Sequence, residues 1–313
     1  MLSPCSPPMT QSERPLPPGS TIGILGGGQL GRMLALAAAR LGMKTHIYCP
    51  DPQSPAFDVT PLKTVAAYDD EGALALFAND VDVITYEFEN VPLATAEFLA
   101  RLKPLRPGAT ALGVAQDRLA EKAFLTINRI PVAPFAMIGT SESLAAELKE
   151  IGLPAVLKTT RLGYDGKGQR IIRKRAAAAA AFAELAPKPL VLEGFIPFEK
   201  EISVVVARGV GGDTAAFEPA ENVHRDHILK TSTVPARITG RTAARAIDIA
   251  ARIATALDYV GVLGVEFFVL KGGKLLVNEI APRVHNSGHW TEAVCVTDQF
   301  EQHIRAVCGW LLW

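Results

Sequence analysis

Cysteine is scarce. Cys5, Cys49, Cys295 and Cys308 are the four in 313 residues, and none stands in a C-x-x-C or other metal-ligand spacing. A disulfide framework is therefore not expected, and the thiols read as reduced groups in a cytosolic, cytoplasmic protein. Long apolar runs are missing too; none approaches the roughly 18 residues of a membrane span. Charge of one sign is not in surplus. Lys+Arg and Asp+Glu both number 32, which argues against a nucleic-acid partner or a membrane-surface partner and leaves only a local basic pocket open. Residues 1–20, "MLSPCSPPMTQSERPLPPGS", lack the apolar middle of a signal peptide and are rich in Pro and Ser; they are expected to form a disordered extension.

What is present points to an α/β protein of about two domains by length. "TIGIL" (21–25), the break "GGGQLG", the helical spacing of "RMLALAAARLGM" and the short strand "KTHIYCP" make a β-loop-α-β unit that opens a parallel sheet. "VDVITYEFENV" (81–91) is a further buried strand running into a polar loop, and "PLATAEFLARL" is the helix after it. These place a Rossmann-like α/β domain at 21–115. From 116 onward the texture changes. "QDRLAEKAFLTINRI" is a charged amphipathic helix, and "PAVLKTT" is a strand that enters the glycine-rich stretch "RLGYDGKGQR". "AAAAAAFAEL" (176–185) is a helix by propensity. "PLVLEGFI" and "KEISVVVARG" are strands, "ARAIDIAARIATALDY" (244–259) is a long helix, and "GVLGVEFFVLKGGKLLVNEIAPR" is a hairpin turning at "KGGK". "FEQHIRAVCGW" reads as a helix still in progress, followed by "LLW" without a cap.

Three features carry chemistry. Gly26-x-Gly28-x-x-Gly31, with Asp51 twenty positions beyond, formally matches the dinucleotide fingerprint. It leaves two readings, a nicotinamide site or a strand–helix turn in a domain with another ligand; Pro52 after Asp51 favours a turn-forming role for the acid. The stretch 163–169, "GYDGKGQ", lies between two strands, so it is not a P-loop; its glycines let backbone N–H groups approach phosphates, and Lys167 and Lys158 add charge. Glu266 and Glu279 stand on opposite limbs of the hairpin, where strand residues can face one another and two acids need a cation between them. By strict alternation Asn278 faces away from Glu279, so a local bend is needed for both to serve one ligand. Last, "APRVHNSGHWT" (281–291) is too polar for core and too varied for a linker.

Taken in order, Lys158, the glycine-rich loop, "LEGFI" and the Glu…Asn-Glu hairpin resemble the ATP-grasp ligases. "YEFENVP", "QDRLAEK", "GYDGKGQ" and "APRVHNSGHWT" together resemble one family among them, the 5-(carboxyamino)imidazole ribonucleotide synthases, over about residues 21–310. The resemblance implies an ATP-grasp domain at 116–313, with a lid subdomain at about 131–200, behind a pre-ATP-grasp domain at 21–115. It implies ATP- and bicarbonate-dependent carboxylation of aminoimidazole ribonucleotide through carboxyphosphate, with Mg²⁺, two ions being expected, and a cytoplasmic homodimer. For ATP it implies Arg118, Lys158, the loop Gly163, Tyr164, Asp165, Gly166, Lys167, Gly168 and Gln169 as a mobile lid, and the hinge Glu193, Gly194, Phe195 and Ile196. Glu201, His224, Asn278 and Glu279 would complete the nucleotide site. Glu266 and Glu279 would be the metal ligands. Gln29 and Glu87 would meet the ribonucleotide, and Arg283, Asn286 and Ser287 would serve bicarbonate, the transferred phosphate and the acceptor. The family continues with a small C-terminal domain that adds a Lys and an Arg for the substrate phosphate. That domain is expected to be missing here, which would weaken ribonucleotide binding more than ATP binding. Other expectations left standing are a glycinamide ribonucleotide formyltransferase-like or biotin carboxylase-like ligase, against which "HNSGHWT" argues, and a nucleotide-binding remnant with impaired turnover.

Overall fold

The apolar run Thr21–Leu25 forms β1 at the interior of a four-stranded parallel sheet. In the computed structural model, which describes residues 14–161, 168–226 and 228–313, helix α1 (Gln29–Arg40) follows the glycine break. The domain continues with β2 (Lys44–Tyr48), β3 (Leu62–Thr64), α2 (Glu71–Asn79), β4 (Val83–Tyr86) and α3 (Leu93–Ala100). The sheet order is β3-β2-β1-β4, with Ile22 opposite Thr45 on one side and Val83 on the other. Ile22, Ile24 and Leu25 are all buried, as a parallel strand covered on both faces requires. Helices α4 (Ala109–Gln116) and α5 (Arg118–Ile127) lead into the second half, and the Asp117 carboxylate caps α5 by accepting from the Leu119 and Ala120 N–H groups.

Next come β5 (Phe135–Ile138), α6 (Ser141–Glu150), β6 (Ala155–Thr159), β7 (Gln169–Ile172), α7 (Ala178–Leu185) and β8 (Leu190–Gly194). Their antiparallel sheet, ordered β5-β8-β6-β7, has its own small core around Leu144, Leu157 and Leu192. The largest sheet is built from β9 (Lys200–Arg208), β10 (Thr214–Ala216), β11 (Ala220–Arg225), β12 (Ile228–Thr233), β13 (Gly261–Val269) and β14 (Leu275–Ala281), in the order β12-β11-β9-β13-β14 with β10 beside β9. Helix α8 (Gly240–Ala256) covers one of its faces through Ile249 and Ile253. Two helices close the chain, α9 (Thr291–Val294) and α10 (Gln299–Val307).

Helix α10 joins the two halves. Phe300 and Ile304 pack in one cluster with Ile24 of the first sheet, with Leu34 of α1, and with Val205 and Val262 of the largest sheet. His303, fully buried, bonds Thr85 Oγ1 of β4 through Nε2 at 2.8 Å and accepts the Val262 N–H of β13 on Nδ1 at 3.1 Å. Two sequence expectations are corrected here. Residues 14–20, read as part of a disordered extension, are tied down: the Leu16 N–H donates to the Cys308 carbonyl, and the Trp310 indole donates to the Leu16 carbonyl. Residues 1–13 lie outside the described residues. Helix α10 is capped. Gly309, at φ 74°, lets its own N–H reach the Ala306 carbonyl and the Trp310 N–H reach that of Arg305, the double closure of a Schellman motif.

Candidate active site

The glycine break after β1 shows what the first domain does with a helix N-terminus. Glu87, which follows β4, is buried, and its two oxygens accept the Gly28 N–H at 2.6 Å and the Gly31 N–H at 2.8 Å. Gly26 has φ +102°, and a Cβ there would stand 2.4 Å from the Glu87 side chain. The glycines therefore admit a carboxylate of the chain itself where a dinucleotide fold seats pyrophosphate. Burial raises the Glu87 pKa, opposed by the two N–H groups and by Arg283. The family resemblance put Glu87 at the ribonucleotide; in this geometry each of its oxygens accepts one backbone N–H of the glycine break. Gln29 is exposed at the start of α1.

Between α5 and the smaller antiparallel sheet lies a buried ion cluster. Strand pairing sets Lys158 on β6 beside β8, and Lys158 Nζ stands 3.0 Å from Glu193 Oε2. Lys122 of α5, 2% exposed, approaches the same oxygen at 3.5 Å. Burial alone would raise Glu193, but Lys158 and Lys122 hold it below the usual carboxylate range. Arg118 joins from the first turn of α5, its N–H on the Thr160 carbonyl and its Nη1 donating to Thr159. Glu193 was expected only as a backbone hinge residue; its side chain is also the counter-ion of Lys158. Gly194, Phe195 and Ile196 follow at the end of β8, with Phe195 exposed. Gly168 immediately precedes β7 and Gln169 opens it opposite Lys158, while Gly163, Tyr164, Asp165, Gly166 and Lys167 lie outside the described residues.

The hairpin supplies the acids. Glu266 on β13 pairs in register with Glu279 on β14, and the register then slips so that Phe267 faces Val277. Asn278 is the extra residue of a β-bulge, the bend that strict alternation required, and its Nδ2 reaches Glu266 Oε2 at 3.5 Å. Burial and then Glu279 push the Glu266 pKa up. His285 Nε2 lies 3.5 Å from Glu266 Oε1, but burial and Arg283 depress this histidine to about 3, so it is neutral at pH 7 and cannot balance the acid. Nearby, Glu201 of β9 and His224 of β11 face each other at 2.6 Å, and the hydrogen bond to Glu201 raises the His224 pKa. Glu121 of α5 is buried beneath the hairpin, where it accepts the Ile280 N–H; burial, with Glu279 adding to it, carries its pKa to about 8. Among the described residues no group of three or more His, Cys, Asp and Glu side chains could hold a metal alone. Two facing carboxylates and an amide are what Mg²⁺ uses when phosphate oxygens and water complete its shell, so this donor set fits that ion.

Beyond β14, Arg283 forms a two-point pair with Glu89 of the first domain, and Arg283 lowers the Glu89 pKa against the pull of burial. Asn286 is exposed. Ser287, expected at the reactants, is 1% exposed; its hydroxyl accepts from Ser203 Oγ at 2.6 Å and meets His285 Nδ1 at 2.7 Å, so here it supports His285. Sequence reasoning missed Glu89, Glu121, Lys122 and Ser203. One signal was available: Glu121 and Leu125 share a face of α5 at i and i+4, which sets a charge on the apolar stripe.

A family model described as an ATP-grasp domain matches residues 123–300, and one described as a ribonucleotide synthetase preATP-grasp domain matches 20–116. The N5-carboxyaminoimidazole ribonucleotide synthase of Brucella melitensis is 55% identical over 296 residues, which cover 94% of this chain and 82% of that protein. The synthase of Bacillus subtilis is 43% identical over 298 residues, covering 95% and 78%. Among solved structures, an ADP complex of PurK, N5-carboxyaminoimidazole ribonucleotide synthetase, superimposes with a TM-score of 0.92 at 44% identity, covering 96% of this chain and 79% of that one. The Aspergillus clavatus N5-carboxyaminoimidazole synthase, in complex with ADP and 5-aminoimidazole ribonucleotide, gives 0.88 at 29% identity, covering 95% and 78%. The two matched models together span most of the chain, and the chain belongs to the N5-carboxyaminoimidazole ribonucleotide synthase family of ATP-grasp ligases.

Proposed function

We propose that this chain carboxylates the exocyclic amine of 5-aminoimidazole ribonucleotide, using ATP and bicarbonate, to give N5-carboxyaminoimidazole ribonucleotide, ADP and phosphate in purine biosynthesis. The observation that carries the reading is the Glu266/Glu279 pair, facing across the hairpin with Asn278 bulged beside it. In the reaction a bicarbonate oxygen attacks the γ-phosphorus and ADP leaves. The amine then attacks the carboxyl carbon of carboxyphosphate, phosphate leaves, and the amine gives up a proton. Mg²⁺, held by Glu266 and Glu279, would supply charge neutralisation at the phosphates. Lys158, fixed by Glu193, and Arg118 would place positive charge on the nucleotide phosphates. Glu201 and His224 would meet the ribose side of the nucleotide, and Arg283 with Asn286 would hold bicarbonate and acceptor. Positioning and charge neutralisation account for most of phosphoryl-transfer catalysis, so a rigid frame is what such a site needs.

The test is ADP release and fixation of labelled bicarbonate, with and without 5-aminoimidazole ribonucleotide. Label in the ribonucleotide that depends on ATP and Mg²⁺ is the expected result; ATP turnover with no label fixed would refute the reading.

A further inference from the structure

Arg283 and Glu89 come from different domains and stand 194 positions apart in the chain. The Glu89 carboxylate takes the Arg283 Nε–H with one oxygen and an Nη2–H with the other, the latter at 3.2 Å. A third N–H, on Nη1, goes to the Val284 carbonyl at 3.0 Å. A guanidinium carries five N–H donors, so among the described residues one remains on Nη1 and one on Nη2. Two donors on one planar group suit the paired oxygens of a carboxylate or carbonate. The Arg283 side chain is 16% exposed, and Glu279 and Glu87 both act on its charge. Without Glu89 the guanidinium would retain, among the described residues, only the Val284 carbonyl as an anchor, and Glu279 would compete for it.

We propose that Glu89 is a positioning residue: holding one side of Arg283 across the domain boundary, it presents the remaining Nη1 and Nη2 donors to bicarbonate and keeps the guanidinium off Glu279. This rests on the reading of Arg283 as the bicarbonate-binding residue. It assigns the acid of "FEN" a function distinct from that of Glu87, which caps the glycine loop two residues earlier.

The experiment uses the full chain and its Glu89→Gln variant, with bicarbonate varied at saturating Mg²⁺-ATP and 5-aminoimidazole ribonucleotide, and with ATP varied separately. Glu89→Gln should raise the KM for bicarbonate on the order of tenfold, the loss of one charge-assisted contact, and leave the KM for ATP within about twofold. Unchanged ATP KM also certifies the fold. Arg283→Lys removes the two-donor edge, so adding Glu89→Gln to it should have little further effect. A bicarbonate KM that does not move, a parallel rise in both KM values, or additive effects in the double variant would overturn the proposal. Glu89→Asp, which shortens the acid, should shift bicarbonate in the same direction and serves if Glu89→Gln folds poorly. If the unmodified chain fixes no bicarbonate, the functional reading has failed; if it does and the variants leave the bicarbonate KM alone, this inference alone has failed.

Discussion

Replacing Glu193 by Gln tests the buried cluster that carries Lys158. One carboxylate, 4% exposed, faces Lys158 at 3.0 Å and Lys122 at 3.5 Å. Removing its charge leaves Lys122, 2% exposed, without its carboxylate counter-ion. Stranding one partner of a buried ion pair costs about 3–5 kcal/mol. Urea unfolding at pH 7 should therefore show Glu193→Gln destabilised by about 3–5 kcal/mol with an unchanged slope. Adding Lys122→Met should return most of this, because a packed apolar side chain of similar volume needs no counter-ion. ATP affinity should stay impaired in the double variant, since Lys158 still lacks its partner. A loss below about 1 kcal/mol in the single variant, or no recovery in the double, would refute the reasoning.

Further outcomes follow from other parts of the structure. Glu279→Gln should nearly abolish turnover at limiting Mg²⁺, several kcal/mol of charge stabilisation being lost; normal rates in a Mg²⁺ titration would remove the hairpin acids from the metal site. His303 is depressed by burial from 6.5 to about 3, so the unfolded chain takes up its proton first and stability falls as pH drops below 6.5. Between pH 7 and 5 this is worth about 2 kcal/mol. His303→Gln keeps a donor and an acceptor without titrating, so the stability gap between the two proteins should narrow by that amount in paired urea melts. NADH should bind no better than millimolar by fluorescence titration, because the Glu87 carboxylate already takes the Gly28 and Gly31 N–H groups; micromolar binding would contradict that arrangement.

The α/β class, the parallel first sheet, the β13–β14 hairpin and the place of Lys158 before a glycine-rich stretch were legible in the sequence. Each rests on local terms: hydrophobic period, β-branching, and glycines at turns. Even the bend at Asn278 could be stated as a requirement, because alternation along a strand is a local rule. The partners of the charged groups were decided only by the tertiary structure. Nothing near Glu193 in the chain says that Lys122 and Lys158 will share one of its oxygens, and nothing in "YEFEN" separates Glu87, which caps a glycine loop, from Glu89, which grips Arg283 from 194 positions away. The same holds for Leu16 and Trp310, which join opposite ends of the chain. Burial and Coulomb forces act through space, between elements that the fold brings together, and a pattern with a period of a few residues carries no record of which elements those will be.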